Sequence, residues 1–220
     1  MHAIATIHVT GPDAFAFLQG QLTNDLRRLE TEAEILAAWC NPKGRVLWFG
    51  TVHPIEGGFA ISAPVETAND IVARLTTFRF RSKVEFAIFD EGTTVGANFL
   101  VEYGYPFIGA GQVEKFTPHM LNFDLLDAIS FDKGCYTGQE IVARTHYKGA
   151  PKRRTLRFES THPVNAGDKV TLDGRDIGDV LNVAGNNLLA VVPVEKSGEK
   201  LSVGDSSLTM IPLPYMTKPD

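Results

Sequence analysis

The stretch from residue 131 to residue 144 is the densest local signal in the chain, and it reads Phe131-Asp132-Lys133-Gly134-Cys135-Tyr136-Thr137-Gly138-Gln139-Glu140-Ile141-Val142-Ala143-Arg144. Thr137 and Glu140 are three residues apart, which is the spacing of a capping box. In such a box the hydroxyl and the carboxylate each accept a hydrogen bond from a backbone amide of the other residue. The pattern therefore predicts a helix that starts at about Gly138.

Two further spacings agree with a helix start at this place. Tyr136 and Ile141 flank it as a hydrophobic staple would. Glu140 and Arg144 lie four residues apart, so an ion pair on the helix surface is expected.

The two cysteines have different surroundings. Cys135 precedes the predicted helix start and lies two residues from Lys133, and both the amides of a helix terminus and a nearby ammonium group favour the thiolate form. A reactive thiol is therefore one interpretation, and a small buried hydrophobe in a tight loop is the other. Cys40 follows Trp39 at the end of an apolar stretch, which predicts a side chain packed in the core.

Several kinds of site are excluded by spacing. His146 lies eleven residues after Cys135, or about 16 Å along a helix that rises about 1.5 Å per residue, so a local Cys–His pair is excluded. The cysteines and histidines do not have the spacing of a zinc site, and no intrinsic metal is predicted. Glycines 104, 109 and 111 lack the strand–turn–helix frame of a dinucleotide site.

Composition sets the broad class. The chain has 220 residues, of which 44% are apolar and 21% are charged, as in ordinary globular proteins. The net charge of −5 repels phosphate backbones, so a direct nucleic-acid partner is not expected. The N-terminus lacks the pattern of an export signal, and apolar runs fall far short of the roughly 20 residues of a membrane helix. We expect a soluble, cytoplasmic protein without a membrane partner.

Periodicity and turn residues predict an α+β fold. The N-terminal part should hold antiparallel sheets with packed helices, and between residues 92 and 118 we expect loops and short elements. The predicted strands are 4–9, 35–39, 46–52, 59–62 and 84–89, with helices around 15–18 and over 68–80. Beyond residue 150 the pattern changes to short β-rich segments broken by turn residues, which is typical of a small antiparallel barrel. The predicted units are residues 1–149 and 150–220.

A basic cluster lies at this boundary in an otherwise acidic chain. It consists of Arg144, Lys148, Lys152, Arg153 and Arg154. A solvated junction between the two units is one interpretation, and a site for carboxylates or phosphates is the other.

Residues 133–140 closely resemble the signature of the YgfZ-type folate-binding proteins, which are relatives of the glycine-cleavage aminomethyltransferase. The resemblance covers most of the chain, and it also includes the C-terminal barrel. The other matching stretches are 9–11, 18–25, 41–45, 81–84 and 104–106.

The resemblance implies an aminomethyltransferase-like body with a cavity for tetrahydrofolate and a small terminal β-barrel. It also implies a role in iron–sulfur cluster assembly or maintenance and in tRNA modification. The implied partners are folate and iron–sulfur client or assembly proteins. By position, Glu102 matches the acid that faces the pterin in relatives, and Cys135 matches the signature thiol, to which we assign the catalytic role. The other candidate cofactor-binding residues are Lys133, Tyr136, Gln139 and Arg144.

The chain departs from the resembled pattern in three places. Aminomethyltransferases carry a carboxylate on the strand where this chain has Val46-Leu47-Trp48-Phe49. Ile4 stands where some relatives have an aromatic residue that stacks on folate, and the stretch between Lys83 and Gly104 is shorter than usual. The alternatives to a folate-binding accessory protein are therefore a folate-dependent one-carbon transferase and an interaction module that has lost folate.

Overall fold

The computed structural model describes residues 1–216, apart from the side chain of Lys148. The α-helices are α1 (Ala14–Gln19), α2 (Val65–Phe78), α3 (Ala97–Tyr103) and α4 (Gln139–Lys148). The strands are β1 (His2–Thr10), β2 (Ile35–Cys40), β3 (Val46–Ile55), β4 (Gly58–Pro64), β5 (Glu85–Val95), β6 (Arg153–Ser160), β7 (Lys169–Leu172), β8 (Arg175–Ala184), β9 (Asn187–Pro193), β10 (Ser202–Val203) and β11 (Ser206–Ile211).

The N-terminal part is built on a five-stranded antiparallel sheet with the strand order β2-β3-β4-β1-β5. Strand β1 alternates as predicted and buries Ala5, Ile7 and Val9 on one face. The predicted meander of β2, β3 and β4 is confirmed. Asn41 shapes the turn between β2 and β3, because its side-chain oxygen accepts hydrogen bonds from the amides of Lys43 and Arg45.

Helix α2 covers the same face of the sheet. Its buried residues Ala68, Ile71 and Leu75 repeat at helical spacing and pack against the core of the sheet. The helix ends at Phe78, two residues before the predicted end. Strand β5 runs to Val95, six residues further than predicted, and α3 follows in the stretch where only loops and short elements were expected.

The C-terminal part is the predicted barrel. Its six strands close in the order β10-β11-β6-β9-β8-β7. The hairpin between β7 and β8 turns at Asp173 and Gly174, which both have positive φ angles, of 50° and 74°. An Asp-Gly pair is favoured there because aspartate and glycine tolerate this conformation.

The barrel and the N-terminal part share a hydrophobic core. Leu181, Leu189 and Leu213 pack in one cluster with residues of β2 and β3, including Ala38 and Phe49. Polar contacts also cross between the two parts. The side chain of Asn182 forms two hydrogen bonds with the backbone of Phe107, at 2.9 and 3.0 Å, and Arg154 pairs with Asp124 at 2.7 Å.

Within residues 1–216, no helix has the length and apolar character needed to cross a membrane.

Candidate functional site

The segment from Lys133 to Glu140 is anchored by the ammonium group of Lys133. This residue is buried, and its Nζ donates to the backbone carbonyls of Gln19, Leu22 and Asn24 at 2.7–2.8 Å. Burial lowers the pKa of Lys133 to about 8, while the negative charge of Asp25 opposes this shift. All three donors are used, so the expectation that Lys133 binds a cofactor is corrected: it fastens this segment to the one around residue 20.

Tyr136 and Gln139 also face inward. The Tyr136 ring is buried with its centroid 5.3 Å from Lys133 Nζ, and burial raises the pKa of its hydroxyl. The side-chain oxygen of Gln139 accepts a hydrogen bond from the Tyr136 amide at 3.3 Å. These contacts hold the segment together.

The predicted capping box is wrong. Helix α4 begins at Gln139 after Gly138, which has a φ of +82°, and no side chain caps it. The hydroxyl of Thr137 instead donates to Gln21 Oε1 at 3.2 Å. A Cβ atom on Gly138 would lie 2.6 Å from the Asn41 carbonyl oxygen, so close contact with the β2–β3 turn determines the residue at this position.

The expected surface pairs around the helix start do not form either. Ile141 is 37% exposed and lies against Gly44, where an added Cβ atom would be 2.8 Å from the Ile141 Cβ. Tyr136 is buried beside Lys133. The two side chains of the expected staple therefore have different neighbours. Among the ion pairs of the described residues there is none between Glu140 and Arg144. Arg144 is exposed on α4.

Cys135 is exposed and unpaired, in a segment held by buried contacts on both sides. The interpretation of this thiol as a buried hydrophobe is therefore wrong. Cys40 is fully buried, as predicted, and burial raises its pKa to about 12. In the described part of the chain, no three His, Cys, Asp or Glu side chains are grouped so that they could hold a metal ion.

A cavity of about 440 Å³, called the large cavity below, lies against the face of the sheet opposite α2. Its walls are mainly apolar and include Ile4 of β1, Phe49 of β3 and Phe99 of α3. Ile4 thus lines a cavity, as its position in the resemblance suggested. Phe49 is stacked on Phe123, with ring centroids 4.1 Å apart.

Four of the lining residues have polar side chains. They are Glu34, Thr51, Ser62 and Tyr105. The Ser62 hydroxyl accepts from the Thr51 amide at 2.9 Å and lies 3.0 Å from the Thr51 hydroxyl. Glu34, Thr51 and Ser62 were not predicted as site residues, because isolated polar residues form no sequence motif. Tyr105 lay in a matching stretch without a role.

Glu102 lies elsewhere. It is exposed on α3 and lines a separate cavity of about 240 Å³ together with Arg157, whose guanidinium donates to the Glu102 carbonyl oxygen at 3.4 Å. Phe99 and Leu100 of the same helix line the large cavity. The large cavity is therefore not lined by Glu102 or by Cys135.

Two of the five residues of the basic cluster form contacts within the fold. Arg153 donates to the carbonyls of Ile177 and Val191, and Arg154 forms a two-point pair with Asp124 at 2.7 and 3.0 Å. Two of its guanidinium groups are thus committed to fixing β6 and are not free to bind an anion. Arg144 and Lys152 are exposed, and for them the interpretation as an anion site stays a prediction. The side chain of Lys148 lies outside the described residues.

The chain is similar to a solved structure and to a family model that together define its class. The chain superimposes on the glycine cleavage system aminomethyltransferase T of Bartonella henselae with a TM-score of 0.66, covering 96% of this chain and 84% of that one at 15% identity. Residues 152–218 match the family model of the CAF17 C-terminal β-barrel domain. The fold is therefore that of an aminomethyltransferase-like protein with a CAF17-type barrel at its C-terminus.

Within that class, the chain is similar to the tRNA-modifying protein YgfZ of several bacteria. It is 28% identical to YgfZ of Klebsiella pneumoniae, over 97% of this chain and 90% of that protein. It is also 28% identical to YgfZ of Escherichia coli O157:H7, over 69% of this chain and 67% of that protein. The resemblance to the YgfZ-type proteins is thereby confirmed. The Klebsiella alignment spans 297 positions, so that protein has segments without a counterpart in these 220 residues.

Proposed function

We propose that this chain is a folate-binding accessory protein of iron–sulfur enzymes, with folate in the large cavity and Cys135 presented to a client protein or its cluster. The observation that carries the proposal is an apolar cavity of about 440 Å³ in an aminomethyltransferase-like fold. Support also comes from the YgfZ relatives, which are named as tRNA-modifying proteins. We place its activity in the cytoplasm, where exposed thiols stay reduced.

The cavity has the chemistry that a pterin ring requires. Its volume is in the usual range of about 300–1,000 Å³ for small-molecule sites, and apolar walls suit a flat aromatic ligand. The rings of Phe99 and Tyr105 lie nearly parallel, with an interplanar angle of 6°, on one wall. The hydroxyls of Thr51 and Ser62 can exchange hydrogen bonds with the pterin edge.

A carboxylate is the natural partner of the pterin amine and ring nitrogens, because it can accept two parallel hydrogen bonds. The resemblance assigns this role to Glu102. The geometry offers Glu34, which is the carboxylate on the wall of the large cavity. The two assignments predict different effects of substitution.

The one-carbon transferase alternative has less support. The segment Val46–Phe49 is buried and apolar, so it offers no carboxylate where aminomethyltransferases carry one on this strand.

Folate binding is tested by calorimetric titration of the full chain with tetrahydrofolate. We expect the wild type to bind tetrahydrofolate. The variant that lacks the glutamate carboxylate in contact with the pterin should bind at least about tenfold more weakly, because a charge-assisted hydrogen bond contributes about 1.5–3 kcal/mol. Glu102→Gln and Glu34→Gln form the matched pair, and the weaker binder identifies the acid. A wild type that binds no tetrahydrofolate would reject the proposal and favour the interaction module.

The presentation of the thiol is tested by alkylation with iodoacetamide. We expect one cysteine to be modified in the native protein, because Cys135 is exposed and Cys40 is buried. The variant Cys135→Ser should take up no label until denaturant is added, when Cys40 becomes accessible. Equal native labelling of both cysteines would contradict this arrangement.

A further inference from the structure

The segment after α2 presents an aromatic ring to solvent in an unusual conformation. Phe80 is 88% exposed, and its φ angle is +45°. A bulky residue with a positive φ is a genuine outlier that costs about 1–3 kcal/mol, and it persists only where the surroundings impose it. A ring so exposed gains almost nothing from packing in return. The folate proposal makes no use of this residue.

Hydrogen bonds on both sides of Phe80 fix this conformation. The amide of Arg79 donates to Thr76, and the amide of Ser82 donates across Phe80 to the Arg79 carbonyl at 2.8 Å. On the other side, the Lys83 amide donates to the carboxylate of Asp13 at 2.7 Å. The segment is therefore held against the start of α1 and against the end of α2. These backbone contacts keep the Phe80 ring exposed to solvent.

Three cations flank the ring. Arg79, Arg81 and Lys83 are exposed, and among the described residues none of them forms an ion pair. The only side-chain hydrogen bond that the structure gives them is a long one, 3.4 Å from Arg79 Nη1 to the Val84 carbonyl. The segment thus combines one free aromatic face with three unneutralised positive charges within five residues of a chain whose net charge is −5.

We propose that residues 79–83 bind an unpaired nucleic-acid strand, with Phe80 stacked on a base and the three cations on neighbouring phosphates. Proteins that bind single strands use this combination, because every base has a face that can stack and every nucleotide brings a phosphate. A negative whole-molecule charge does not prevent such a contact, since exposed charges act over a Debye length of about 8 Å at physiological ionic strength. This revises locally the expectation, drawn from net charge, that nucleic acid is not a direct partner.

An anionic membrane fits the segment less well. Recognition of anionic lipids by sequence takes clusters of about four to eight cations, and here there are three around a single ring. A single phenylalanine ring also buries little apolar area in a lipid surface, whereas a base can use the whole of its face for stacking. The nucleic-acid strand is therefore the occupant that uses both features.

Binding is measured by fluorescence anisotropy of the full chain with a labelled RNA of about 12 nucleotides and mixed sequence, within the usual site sizes of such proteins. Unlabelled single-stranded DNA and duplex RNA serve as competitors. The DNA tests whether the sugar matters, and the duplex tests whether the strand must be unpaired. We expect both single strands to compete better than the duplex. With three phosphate contacts, the logarithm of the binding constant should fall against the logarithm of salt concentration with a slope of about −2, and Arg81→Gln should reduce that slope by about 0.7.

Substitutions of Phe80 separate stacking from folding. Phe80→Trp should keep the affinity, and Phe80→Ala should weaken binding about tenfold, as is usual for a base–aromatic stack. Phe80→Gly should bind as weakly as Phe80→Ala while its melting temperature stays at or above that of the wild type, because glycine adopts a positive φ without strain. A purely structural role of Phe80 would instead lower the melting temperature.

Tyr147→Ala is the matched control, since Tyr147 is another strongly exposed aromatic residue, 68% accessible, near basic residues. It should leave the affinity unchanged. The proposal is overturned if no RNA binds, if the duplex competes as well as the single strands, if Phe80→Ala binds like the wild type, or if Tyr147→Ala causes the loss. Phe80-dependent binding to anionic vesicles without RNA binding would overturn it as well.

Discussion

Lys133 carries a buried positive charge that depends on three carbonyl groups. A buried ammonium is tolerated only where it is fully hydrogen-bonded, and Gln19, Leu22 and Asn24 supply that set. The same three carbonyls depend on the ammonium, because they have been taken out of water. Loss of either the ammonium group or the carbonyl groups would therefore leave buried polar groups without a hydrogen-bond partner.

We predict that Lys133→Met lowers the free energy of unfolding by about 3 kcal/mol, because it leaves buried carbonyl oxygens without a donor. Denaturant melts measure this effect. Lys200→Met is the control, since Lys200 is exposed in the barrel, and it should change stability by less than about 0.5 kcal/mol. Equal effects of the two substitutions would contradict the anchoring role.

The stability difference between the wild type and Lys133→Met should depend on pH, and its sign follows from the pKa of Lys133. The pKa of Lys133 is lowered to about 8, against an ordinary value of 10.5. Between these values the unfolded chain binds a proton that the folded chain has lost, so stability rises with pH in this window. The wild type should therefore gain stability relative to Lys133→Met as the pH rises from 8 towards 10.5.

At the scale of elements, the start of α4 is set by how closely two turns approach each other. Gly138 lies against the β2–β3 turn, where its backbone has a φ of +82° and a Cβ atom would meet the Asn41 carbonyl oxygen. A helix start that is fixed by contact between backbones needs no side-chain cap.

Gly138→Ala should accordingly destabilise the protein by about 3 kcal/mol, through strain at positive φ and overlap with Asn41. Gly134→Ala is the matched control in the same segment, because no atom lies within 4 Å of the Cβ it would add and its φ is not in the positive region. Thr137→Ala should cost about 1 kcal/mol through the lost hydrogen bond to Gln21. Denaturant melts of the three variants check this order; a Gly134→Ala variant as unstable as Gly138→Ala would contradict it.

Sequence patterns predicted the elements well where they depend on local periodicity. The alternation of β1, the Asn41 turn and the helical spacing of Ile71 and Leu75 each reflect short-range rules, and each is confirmed. Short-range rules did not predict the conformation of residues 133–140. The residue spacing of this segment satisfied a capping box, but the contacts that decide its conformation come from residues about 100 positions away, such as Asn41 and Gln21.

The candidate site was predictable only in part for the same reason. Exposure of Cys135 depends on how its segment is anchored, and the direction of Glu102 depends on which face of α3 meets the cavity. The cavity wall gathers one to three residues each from β1, β2, β3, β4, β5 and α3 and from the loop after α3, and no stretch of sequence contains it. Phe80 has no periodicity to mark it, since its conformation is imposed by the turn.

At the scale of the whole molecule, the C-terminal segment completes the core of the N-terminal part. Leu213 is buried against the cluster that contains Ala38 and Phe49. The Tyr215 hydroxyl donates to the Gly104 carbonyl at 3.1 Å and accepts from Asn122 at 3.1 Å. The sheet and the barrel are therefore coupled through shared packing.

We predict that Leu213→Ala lowers the free energy of unfolding by about 3 kcal/mol, because it removes buried volume from the shared core. Unfolding should remain a single transition when followed by the fluorescence of Trp39 and Trp48, which both lie in the sheet. Met210→Ala is the control, because Met210 is exposed on β11. Unchanged tryptophan melting in Leu213→Ala would show that the two parts unfold independently.

The shared core also affects the order of events during synthesis. Phe49 precedes Leu213 by 164 residues, and the ribosome adds about 5–20 residues per second, so on the order of 10–30 seconds separate their synthesis. During that interval the apolar wall around Ala38 and Phe49 lacks Leu213. The nascent chain therefore carries an uncovered apolar surface until Leu213 has been added and can pack. Agents that slow elongation between these two residues would lengthen its exposure to chaperones and proteases.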